Sequence, residues 1–429
     1  MGGEWQEVTL DDVADEITVG YVGSMASEYV SDGIPFLRSL NVERLRINKN
    51  DLKYIAPEFH QRIQKSKLQP GDVVIVRTGK PGTCSVIPQW LVEANCSDLV
   101  IVRCGEQINN RFLAYYMNSA AADHVSAHLV GAVQQHFNVG ATKALRLKLP
   151  PVQEQAAIAH VLGTLDDKIE LNRRRNQTLE AMARALFKDW FVDFGPVRAK
   201  LEGRAPYLPA DLWQLFPDRL DDEGKPEGWE TQPLDQIAAL VTRSISPGKS
   251  PEAVFEHYSI PAFDVGRMPA MEVGASIKSN KYIVDPDSVL VSKLNPQTPR
   301  VWLPAVATDR PICSTEFMQF VPQDRENRSY LYCLMSSEAM QEVVLQHITG
   351  STGSRQRAQP SQISKVDIPA PNASLVMAFN RQAGPILKAA AENQRESQTL
   401  AQLRDTLLPK LISGELRVKD AERFIERAS

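Results

Sequence analysis

Residues 172–179 of the chain read NRRRNQTL, and residues 393–400 read NQRESQTL. One eight-residue phrase therefore occurs twice, 221 positions apart, in a sequence of 429 residues. The second copy retains only Arg395 of the three arginines, so a patch of positive charge is not what the repeat preserves. Arg173, Arg174 and Arg175 fall mostly off the apolar seam described next, and we expect them on a solvated helix face.

Both copies lie within a heptad pattern. From Pro151 to Phe191 only Gly163 interrupts a run of good helix formers. Within this run, seam positions follow alternating spacings of four and three, as in a coiled coil. The first seam comprises Ile158, Leu162, Leu165, Ile169, Asn172, Asn176, Leu179, Ala183, Leu186 and Trp190. The same positions in the second copy are Phe379, Ala383, Ile386, Ala390, Asn393, Ser397, Leu400, Arg404, Leu407 and Leu411.

Asn172 and Asn393 occupy the same seam position. A buried polar residue there costs stability but fixes the register and the partner of the helix. Arg404 makes the second seam poorer, and the adjacent Leu403 is the expected substitute. The repeated phrase is therefore interpreted as the polar register mark of a helix that exists twice and pairs with itself.

A weaker repeat extends over nearly the whole chain. EWQEVTLDDVA at 4–14 resembles GWETQPLDQIA at 228–238, QPGDVVIVR at 69–77 resembles DPDSVLVSK at 285–293, and NCSDLVIV at 95–102 resembles ICSTEFMQF at 312–320. The order never changes, while the offset drifts as loop insertions and deletions require. Each half begins with β-branched runs bounded by Pro, Gly, Asn and Asp, which predicts a mixed α/β domain before each long helix.

Composition limits the class of protein. The apolar content of 43% and charged content of 23% are typical of a globular chain. No apolar run approaches the roughly 18 residues of a membrane span, and the acidic N-terminus lacks the apolar core of a signal peptide. Five cysteines without a CxxC pair predict a reduced, cytoplasmic protein without structural zinc. The net charge is −4, yet basic residues concentrate between Phe36 and Lys80, as a phosphate-facing surface requires.

Motifs of catalysis are missing from the sequence. TGKPGT at 78–83 lacks the glycine and the hydroxyl of a phosphate-binding loop, and no GxGxxG follows a strand. His124, His128 and His136 lack the glutamate of an HExxH site, so we expect structural or DNA-contacting roles for them and no metal site. We therefore expect no catalytic residue and no cofactor bound to this chain.

Three segments of the chain resemble the specificity subunit of type I DNA restriction–modification enzymes. They are LPPVQEQAAIAHVL at 149–162, LDDKIELNRRRNQTLEAMARALFKDWFVDFGPVRAKLEGR at 165–204 and LLPKLISGELRV at 407–418. The resemblance implies an α+β fold with two target-recognition domains in tandem. Each domain is followed by a long spacer helix, and the helices form an antiparallel coiled coil with pseudo-two-fold symmetry.

The expected domains follow from the resemblance and the repeat. They are recognition domain 1 at 1–150, spacer helix 1 at 151–198, a connector at 199–227, recognition domain 2 at 228–370, spacer helix 2 at 371–415 and a C-terminal tail at 416–429. The helix from Gln153 to Phe191 would be about 58 Å long at roughly 1.5 Å per residue. Half-sites on one face of DNA lie about 34–36 Å apart, which such helices can span.

The resemblance also implies a function. The chain would be a non-catalytic subunit that reads a bipartite, asymmetric site on double-stranded DNA, one half-site per recognition domain. Its partners would be two methyltransferase subunits and one restriction subunit that translocates DNA. S-adenosylmethionine, ATP and Mg would then be bound by the partner subunits, which methylate adenine or cleave.

Candidate DNA-contacting residues lie in polar loops, where Arg and Lys suit phosphates or guanine and Asn and Gln suit adenine. In recognition domain 1 they are Arg38, Ser39, Asn41, Arg77, Thr78, Lys80, Gln134, Gln135, His136 and Asn138. In recognition domain 2 they are Lys293, Asn295, Gln297, Arg300, Ser354, Arg355, Gln356 and Arg357. The alternative for any one of them is an ordinary solvated loop residue.

Aromatic residues gather at the end of spacer helix 1. Phe187, Trp190, Phe191 and Phe194 either pack internally or, together with off-seam residues, receive methyltransferase helices in a four-helix bundle. The residues predicted for this methyltransferase interface are Val161, Met182, Phe187 and Phe191. The tail after Gly414 is expected to return to recognition domain 1.

Three other functions compete with DNA recognition in a type I system. A self-contained nuclease or methyltransferase would need the motifs that are missing. The DNA-reading subunit of another two-component restriction system would differ in its partners. A tandem coiled-coil adaptor without DNA binding would show no salt-dependent affinity for duplex DNA.

Overall fold

A computed structural model describes residues 5–130, 136–350 and 356–421 of the chain. The chain divides into two compact units, one formed by residues 1–168 with 400–429 and the other by residues 169–399. Spacer helix 1 spans Val152–Phe191 and spacer helix 2 spans Ala373–Ser413. Each unit therefore contains a mixed domain and one end of each spacer helix, and the units are described in turn.

The first unit is built on two main sheets. The four-stranded sheet has the order Cys84–Val86, Val73–Val76, Leu99–Cys104 and Ala14–Val19, and all its pairs are antiparallel. The five-stranded sheet has the order Tyr29–Val30, Lys53–Ile55, Ile34–Leu37, Ala94–Cys96 and Lys67–Leu68. Smaller pairs join Gln6–Thr9 to Arg146–Leu149 and Val42–Glu43 to Arg46–Ile47. Val73–Val76 is buried throughout, as expected for a β-branched run covered on both faces.

Short helices complete the first unit. The α-helices are Leu10–Val13, Pro57–Arg62, Asn110–Met117, Ala122–Ala127 and Val139–Lys143, and the 3-10 turns are Ser39–Asn41 and Gln64–Ser66. The Asn109 side chain accepts a hydrogen bond from Phe112 N, and this N-cap starts Asn110–Met117. The buried face of this helix, with Phe112 and Leu113, packs in the core of the four-stranded sheet.

The second unit repeats this design. Its four-stranded sheet has the order Ala238–Val241, Phe317–Pro322, Val289–Ser292 and Val301–Trp302. Its five-stranded sheet has the order Ser244–Ile245, Lys281–Ile283, Pro311–Ser314, Val254–Tyr258 and Ala270–Val273. Two short pairs join Glu230–Pro233 to Asp367–Ala370 and Ile348–Thr349 to Arg357–Ala358. The α-helices are Gly195–Leu201, Ala210–Trp213, Ile260–Gly266, Arg328–Met335, Glu338–Gln346 and Pro360–Ile363, and the 3-10 turns are Leu234–Gln236, Pro247–Lys249, Gly274–Ser276 and Arg325–Asn327.

One parallel strand pair marks the repeat in both units. Ile34–Leu37 runs parallel to Ala94–Cys96, and Val254–Tyr258 runs parallel to Pro311–Ser314. All other named strand pairs are antiparallel, so this shared exception is a specific topological match. The five-stranded sheets differ in their outermost strand. In the first unit Tyr29–Val30 pairs with Lys53–Ile55, on the side of Ile34–Leu37. In the second unit Ser244–Ile245 pairs with Lys281–Ile283, on the side of Pro311–Ser314. The predicted pair of mixed α/β domains, each followed by a long helix, is confirmed.

In the second unit the spacer helices pair antiparallel through asparagines. Asn172 Nδ2 donates to Glu396 Oε2 at 2.7 Å, and Asn176 Nδ2 donates to the Ala390 carbonyl at 3.0 Å. Asn393 Nδ2 donates to Asn176 Oδ1 at 2.9 Å. The partners fall in number on one helix as they rise on the other, which fixes the antiparallel direction. The repeated phrase therefore meets its own second copy.

In the first unit the same helices pair through apolar side chains and one ion pair. Ile158, Leu162 and Leu165 share a core with Leu407 and Leu411. Arg404 Nη1 donates to Asp166 Oδ1 at 2.6 Å, so the arginine on the seam is matched by an acid. The neighbouring Leu403 also packs against this core.

None of the predicted seam residues is exposed. The buried ones are Ile158, Leu162, Leu165, Asn172, Ala183, Trp190, Phe379, Ala383, Ala390, Ser397, Leu407 and Leu411. The half-buried ones are Ile169, Asn176, Leu179, Leu186, Ile386, Asn393, Leu400 and Arg404. Off the seam, Arg174 and Arg175 are exposed, while Arg173 and Arg174 both pair with Glu170 of the same helix.

Replacing Asn172 by leucine tests the register mark. Asn172 is fully buried, and its Oδ1 has no hydrogen-bond partner among the described residues. Leucine removes this penalty, so the free energy of unfolding is expected to rise by about 1 kcal/mol. We also expect self-associated species in light scattering, because the seam loses the residue that specifies its register. Arg175→Leu, at an exposed position, is the control, and a loss of stability in Asn172→Leu would contradict the assignment.

The segment after spacer helix 2 lies against the first unit. Arg417 Nη1 donates to Glu154 Oε1 at 2.7 Å, and Ala421 is buried. Gly414 has φ +77, and an added Cβ would lie 3.2 Å from the Trp5 ring. Glycine is required here both by the left-handed backbone and by the close approach of the indole.

Candidate nucleic-acid interface

Four strand ends meet at one edge of the first unit. Val73–Val76 and Leu99–Cys104 are antiparallel, so the end of one adjoins the start of the other. Ile34–Leu37 and Ala94–Cys96 are parallel, so both end together. The loops that follow, at 38–41, 77–80 and 97–98, are thereby brought to one place although they are far apart in the sequence.

Asp98 is the centre of this loop cluster. Ser39 Oγ donates to Asp98 Oδ2 and Thr78 Oγ1 donates to Asp98 Oδ1, both at 3.0 Å. Arg77 Nη1 lies 4.0 Å from Asp98 Oδ1. Asp98 was not predicted from the sequence, because a single aspartate between two strands looks like any turn residue. Its φ of +55 is the left-handed conformation that Asp and Asn tolerate best.

The segment after residue 135 reaches the same cluster. Phe137 N donates to the Arg77 carbonyl at 3.0 Å, and His136 Nδ1 lies 2.8 Å from Thr78 Oγ1. Asn138 caps the helix Val139–Lys143, since its side chain accepts from Ala141 N at 2.9 Å. The predicted contacts Gln134 and Gln135 lie outside the described residues.

The remaining candidates of the first unit differ in whether their side chains are free to contact DNA. Asn41 is fully buried, and its amide donates to the carbonyls of Asn48 and Asn50 at 3.2 and 3.1 Å, so it shapes the loop from inside. Arg38 pairs with Asp51 at 2.8 Å. Hydrogen bonds from Lys53 and from Arg38 lower the pKa of Asp51 to about 2. Lys80 is exposed at the loop tip.

The second unit forms a corresponding cluster. Lys293 N donates to the Glu316 carbonyl and Ala358 N donates to the Lys293 carbonyl, both at 2.9 Å. Arg357 Nε donates to Glu316 Oε2 at 3.1 Å. Hydrogen bonds to Glu316 and its charge raise the pKa of Arg357 above the ordinary arginine value. Glu316, like Asp98, is an acid that was not predicted from the sequence.

The loop at 293–300 carries the other candidates of the second unit. Asn295 N donates to the Gln356 carbonyl at 3.1 Å, and Asn295 has φ +48. Arg300 binds both oxygens of Asp264, at 2.7 and 2.9 Å, so its guanidinium is held by a residue of the helix Ile260–Gly266. Gln297 is exposed. Ser354 and Arg355 lie outside the described residues.

Each cluster thus combines cationic and amide side chains with one or more acids, and the first also contains the hydroxyls of Ser39 and Thr78. Cations and hydroxyls are suited to phosphates, and amides, guanidinium and imidazole are suited to base edges. The acids hold several of these side chains in defined orientations. The two clusters stand at the same place in the repeated topology, yet they share few residue types.

The predicted methyltransferase interface is mostly internal to the chain. Val161 lies in the core of the first unit, 5% exposed. Phe187 and Phe191 lie in the core of the second unit, where their ring centroids are 5.8 and 5.3 Å from that of Phe379. Of the four residues only Met182 is exposed, at 52%.

The described residues contain no group of three or more His, Cys, Asp or Glu arranged to hold a metal ion. The rings of His124 and His128 stack with their centroids 4.1 Å apart. His124 Nε2 bonds to the Ala141 carbonyl, and His128 Nδ1 bonds to the His124 carbonyl. All five cysteines are free thiols, and burial raises the pKa of Cys313 and of Cys333 to about 12. Burial thus disfavours the thiolate form that a nucleophile needs. No helix in the described part of the chain is long and apolar enough to cross a membrane.

Comparison with known proteins finds similarity to one class of protein. Residues 2–181 match the type I restriction modification DNA specificity domain. The HindI specificity subunit of Haemophilus influenzae is 27% identical over 329 residues, which cover 64% of this chain and 69% of that protein. The MjaIX specificity subunit of Methanocaldococcus jannaschii is 28% identical over 294 residues, which cover 65% of this chain and 62% of that protein. Both are named as subunits of type I restriction enzymes.

A solved structure supports the fold. The S subunit of a type I restriction–modification system from M. genitalium superposes with a TM-score of 0.53 at 13% identity, over 95% of this chain and 96% of that one. The chain is thus similar to the specificity subunits of type I restriction–modification systems, through its family match at residues 2–181 and through both relatives.

Proposed function

We propose that the chain recognises a bipartite, asymmetric site on double-stranded DNA, with one half-site read by each recognition domain. The observation that carries this proposal is the pair of loop clusters. Both stand at the strand ends of equivalent sheets, but Arg77, Thr78 and His136 occupy one and Lys293, Asn295 and Arg357 the other. Equivalent positions favour two readers of one kind, and different side chains favour two different half-sites.

The proposed partners follow from the family. Two methyltransferase subunits would bind S-adenosylmethionine and methylate adenine within the site, and a restriction subunit would use ATP and Mg to translocate and cleave unmodified DNA. The specificity subunit would hold these partners and bring them to the sequence it reads. Work on chromosomal DNA would place the complex in the cytoplasm.

Joining two recognition domains in one chain would give tight DNA binding even if each loop cluster binds weakly. Among the described residues of the two clusters, Arg77 and Arg357 already lie beside an acid, so we expect each half-site to be bound weakly by itself. Joining two readers in one chain makes the second binding event intramolecular, which multiplies affinity through effective concentration. Phosphate contacts by Lys80 and Lys293 would give the affinity a steep dependence on salt.

The test is the methylation pattern of plasmid DNA from cells that co-express this chain with its neighbouring methyltransferase subunit. Methyladenine confined to one split motif is the expected result. Exchanging residues 1–150 for those of a related specificity subunit should change one half of the motif and leave the other half and the spacing unchanged. Exchange of residues 228–370 is the matched control, since it should alter only the opposite half.

The adaptor hypothesis predicts a different result. If the chain and the methyltransferase subunit co-purify but DNA remains unmethylated and duplex DNA is not bound at low salt, the recognition function is wrong. If DNA is methylated but the host genome encodes no restriction subunit, only the role in methylation is supported. A different two-component restriction system would be recognised by the partners that co-purify.

A further inference from the structure

Three side chains of the first loop cluster form a continuous hydrogen-bonded line. Asp98 Oδ1 accepts from Thr78 Oγ1 at 3.0 Å, and Thr78 Oγ1 lies 2.8 Å from His136 Nδ1. Asp98 is held on its other oxygen by Ser39 Oγ, also at 3.0 Å. Thr78 is 8% exposed, so the middle of the line is shielded from water, whereas His136 is half-buried and reaches the surface.

The number of available protons orients the line. A carboxylate only accepts hydrogen bonds, and a threonine hydroxyl has a single hydrogen to donate. That hydrogen goes to Asp98, so Thr78 Oγ1 can bond to His136 only as an acceptor. His136 must therefore carry its proton on Nδ1. In the neutral imidazole the other nitrogen, Nε2, then presents a lone pair.

The ring is also fixed in position. His136 N donates to the Val130 carbonyl at 2.8 Å, and Val130 N donates to the His136 carbonyl at 3.1 Å. The next residue, Phe137, is fully buried and donates its N–H to the Arg77 carbonyl at 3.0 Å. Backbone on both sides of the imidazole is thus tied to the unit, and Nδ1 is tied to Thr78. A ring anchored in this way can present Nε2 in one direction only.

We propose that His136 is a specificity-determining residue whose Nε2 accepts a hydrogen bond from an exocyclic amino group in the half-site read by recognition domain 1. This inference rests on the proposed function. In the major groove such a donor is offered by N6 of adenine and N4 of cytosine, whereas the carbonyl groups of thymine and guanine offer acceptors. Asp98 and Thr78 are positioning residues, because they act through His136.

The second unit provides a contrast of opposite polarity. There the acid Glu316 bonds directly to Arg357, at 3.1 Å, with no hydroxyl between them. An arginine has only donors to offer, whatever orientation the acid imposes. The two clusters therefore use an acid in different ways, and only the first one selects between the two forms of a neutral histidine.

The first arm of the experiment needs no DNA. Histidines of the whole chain are labelled with ¹⁵N, and the protonated nitrogen of each ring is identified by NMR at pH 8, where imidazoles are largely neutral. His136→Gln assigns the His136 signal. The expected result is the Nδ1–H form in the wild-type chain and a shift toward the Nε2–H form in Thr78→Val. An Nε2–H form in the wild-type chain overturns the proposal.

The second arm uses the complex of the chain with its methyltransferase subunit and duplexes with single-base analogues. Purine in place of adenine, or 2-pyrimidinone in place of cytosine, removes one exocyclic amino group at a time. We expect the wild-type complex to lose affinity about tenfold at the position read by His136. His136→Ala should bind natural base and analogue equally there, and the responsive analogue distinguishes adenine from cytosine.

Two variants separate positioning from simple structural damage. Thr78→Val keeps the shape of the buried side chain but removes its hydroxyl, so the loop should keep its fold while discrimination at that one base falls. Lys293→Ala should weaken all duplexes alike and leave the discrimination intact. If His136→Ala still discriminates at every position, the reading role is wrong while the proposed function stands. If the wild-type complex binds no duplex at all, both are wrong.

Discussion

Phe187→Ala is expected to lower the free energy of unfolding by about 3–5 kcal/mol, the usual cost of removing a buried aromatic ring. Phe187 is 3% exposed, and its ring lies 5.1 Å from that of Phe191, 5.5 Å from that of Tyr330 and 5.8 Å from that of Phe379. Alanine would open a cavity at the point where spacer helix 1, spacer helix 2 and the helix Arg328–Met335 meet. The measurement is urea unfolding followed by far-UV circular dichroism.

Met182→Ala is the matched control on the same helix. Met182 is 52% exposed, so its removal should change the free energy of unfolding by no more than about 0.5 kcal/mol. The pair of variants also tests the methyltransferase interface predicted from the sequence. An unchanged stability of Phe187→Ala, together with lost binding of the methyltransferase subunit, would show that Phe187 faces the partner and not the core.

The sequence predicted the structure well where that structure follows a regular spacing of residues. The seam from Ile158 to Trp190 has a strict heptad spacing, and its copy around Asn393 can be counted without knowledge of any contact. The β-branched runs predicted a mixed α/β domain, and the run at 73–76 forms a buried strand of that domain. Helix and strand patterns depend on neighbours in the chain, which the sequence displays directly.

The acids of the two loop clusters could not be predicted in this way. Asp98 lies 20 residues from Thr78 and 59 from Ser39, and these residues meet only because a parallel and an antiparallel strand pair share one end. Glu316 is 41 residues from Arg357. The same limit applies to Asn41, which has the composition of a base-reading residue but is buried within its own loop. Residue type alone does not tell whether a polar side chain faces a ligand or its own backbone.

The aromatic residues illustrate a different limit. Phe187 and Phe191 lie off the heptad seam, and an off-seam apolar residue on a helix is compatible with an external partner or with another part of the same chain. The structure places Tyr330 and Phe379 against them. These residues lie more than 130 positions away in the sequence, so their packing depends on tertiary contacts that periodicity does not encode.

A half-buried polar cluster explains the arginine on the seam. In the first unit Asp166 Oδ1 accepts from Arg404 Nη1 at 2.6 Å, and its Oδ2 accepts from the hydroxyl of Tyr115 at 2.5 Å. Burial alone would lower the pKa of Arg404, but the charge of Asp166 raises it above the ordinary value. Burial and the same carboxylate raise the pKa of Tyr115, so its hydroxyl stays a donor. Arg404 is thus part of a network that joins both spacer helices to the helix Asn110–Met117.

Arg404→Ala is expected to destabilise the chain by about 2–3 kcal/mol, because it leaves the Asp166 carboxylate poorly hydrated and without its cation. The side chains of Arg404 and Asp166 are 17% and 22% exposed, so some water reaches the site and the loss stays below that of a fully buried pair. Urea unfolding followed by far-UV circular dichroism measures the difference. Arg174→Ala is the control, since Arg174 pairs with Glu170 on an exposed face, and a change within about 0.5 kcal/mol is expected.

The double variant Arg404→Leu with Asp166→Asn shows whether charge or packing causes the loss. Leucine restores an apolar seam residue, and asparagine still accepts the hydrogen bond of Tyr115 without bringing a charge that needs a partner. Most of the stability should therefore return, because removing both members of a buried ion pair costs far less than removing one. If the double variant is as unstable as Arg404→Ala, the aliphatic part of Arg404 matters more than its charge. The apolar contacts of the Arg404 side chain, and not its ion pair with Asp166, would then account for the stability at this site.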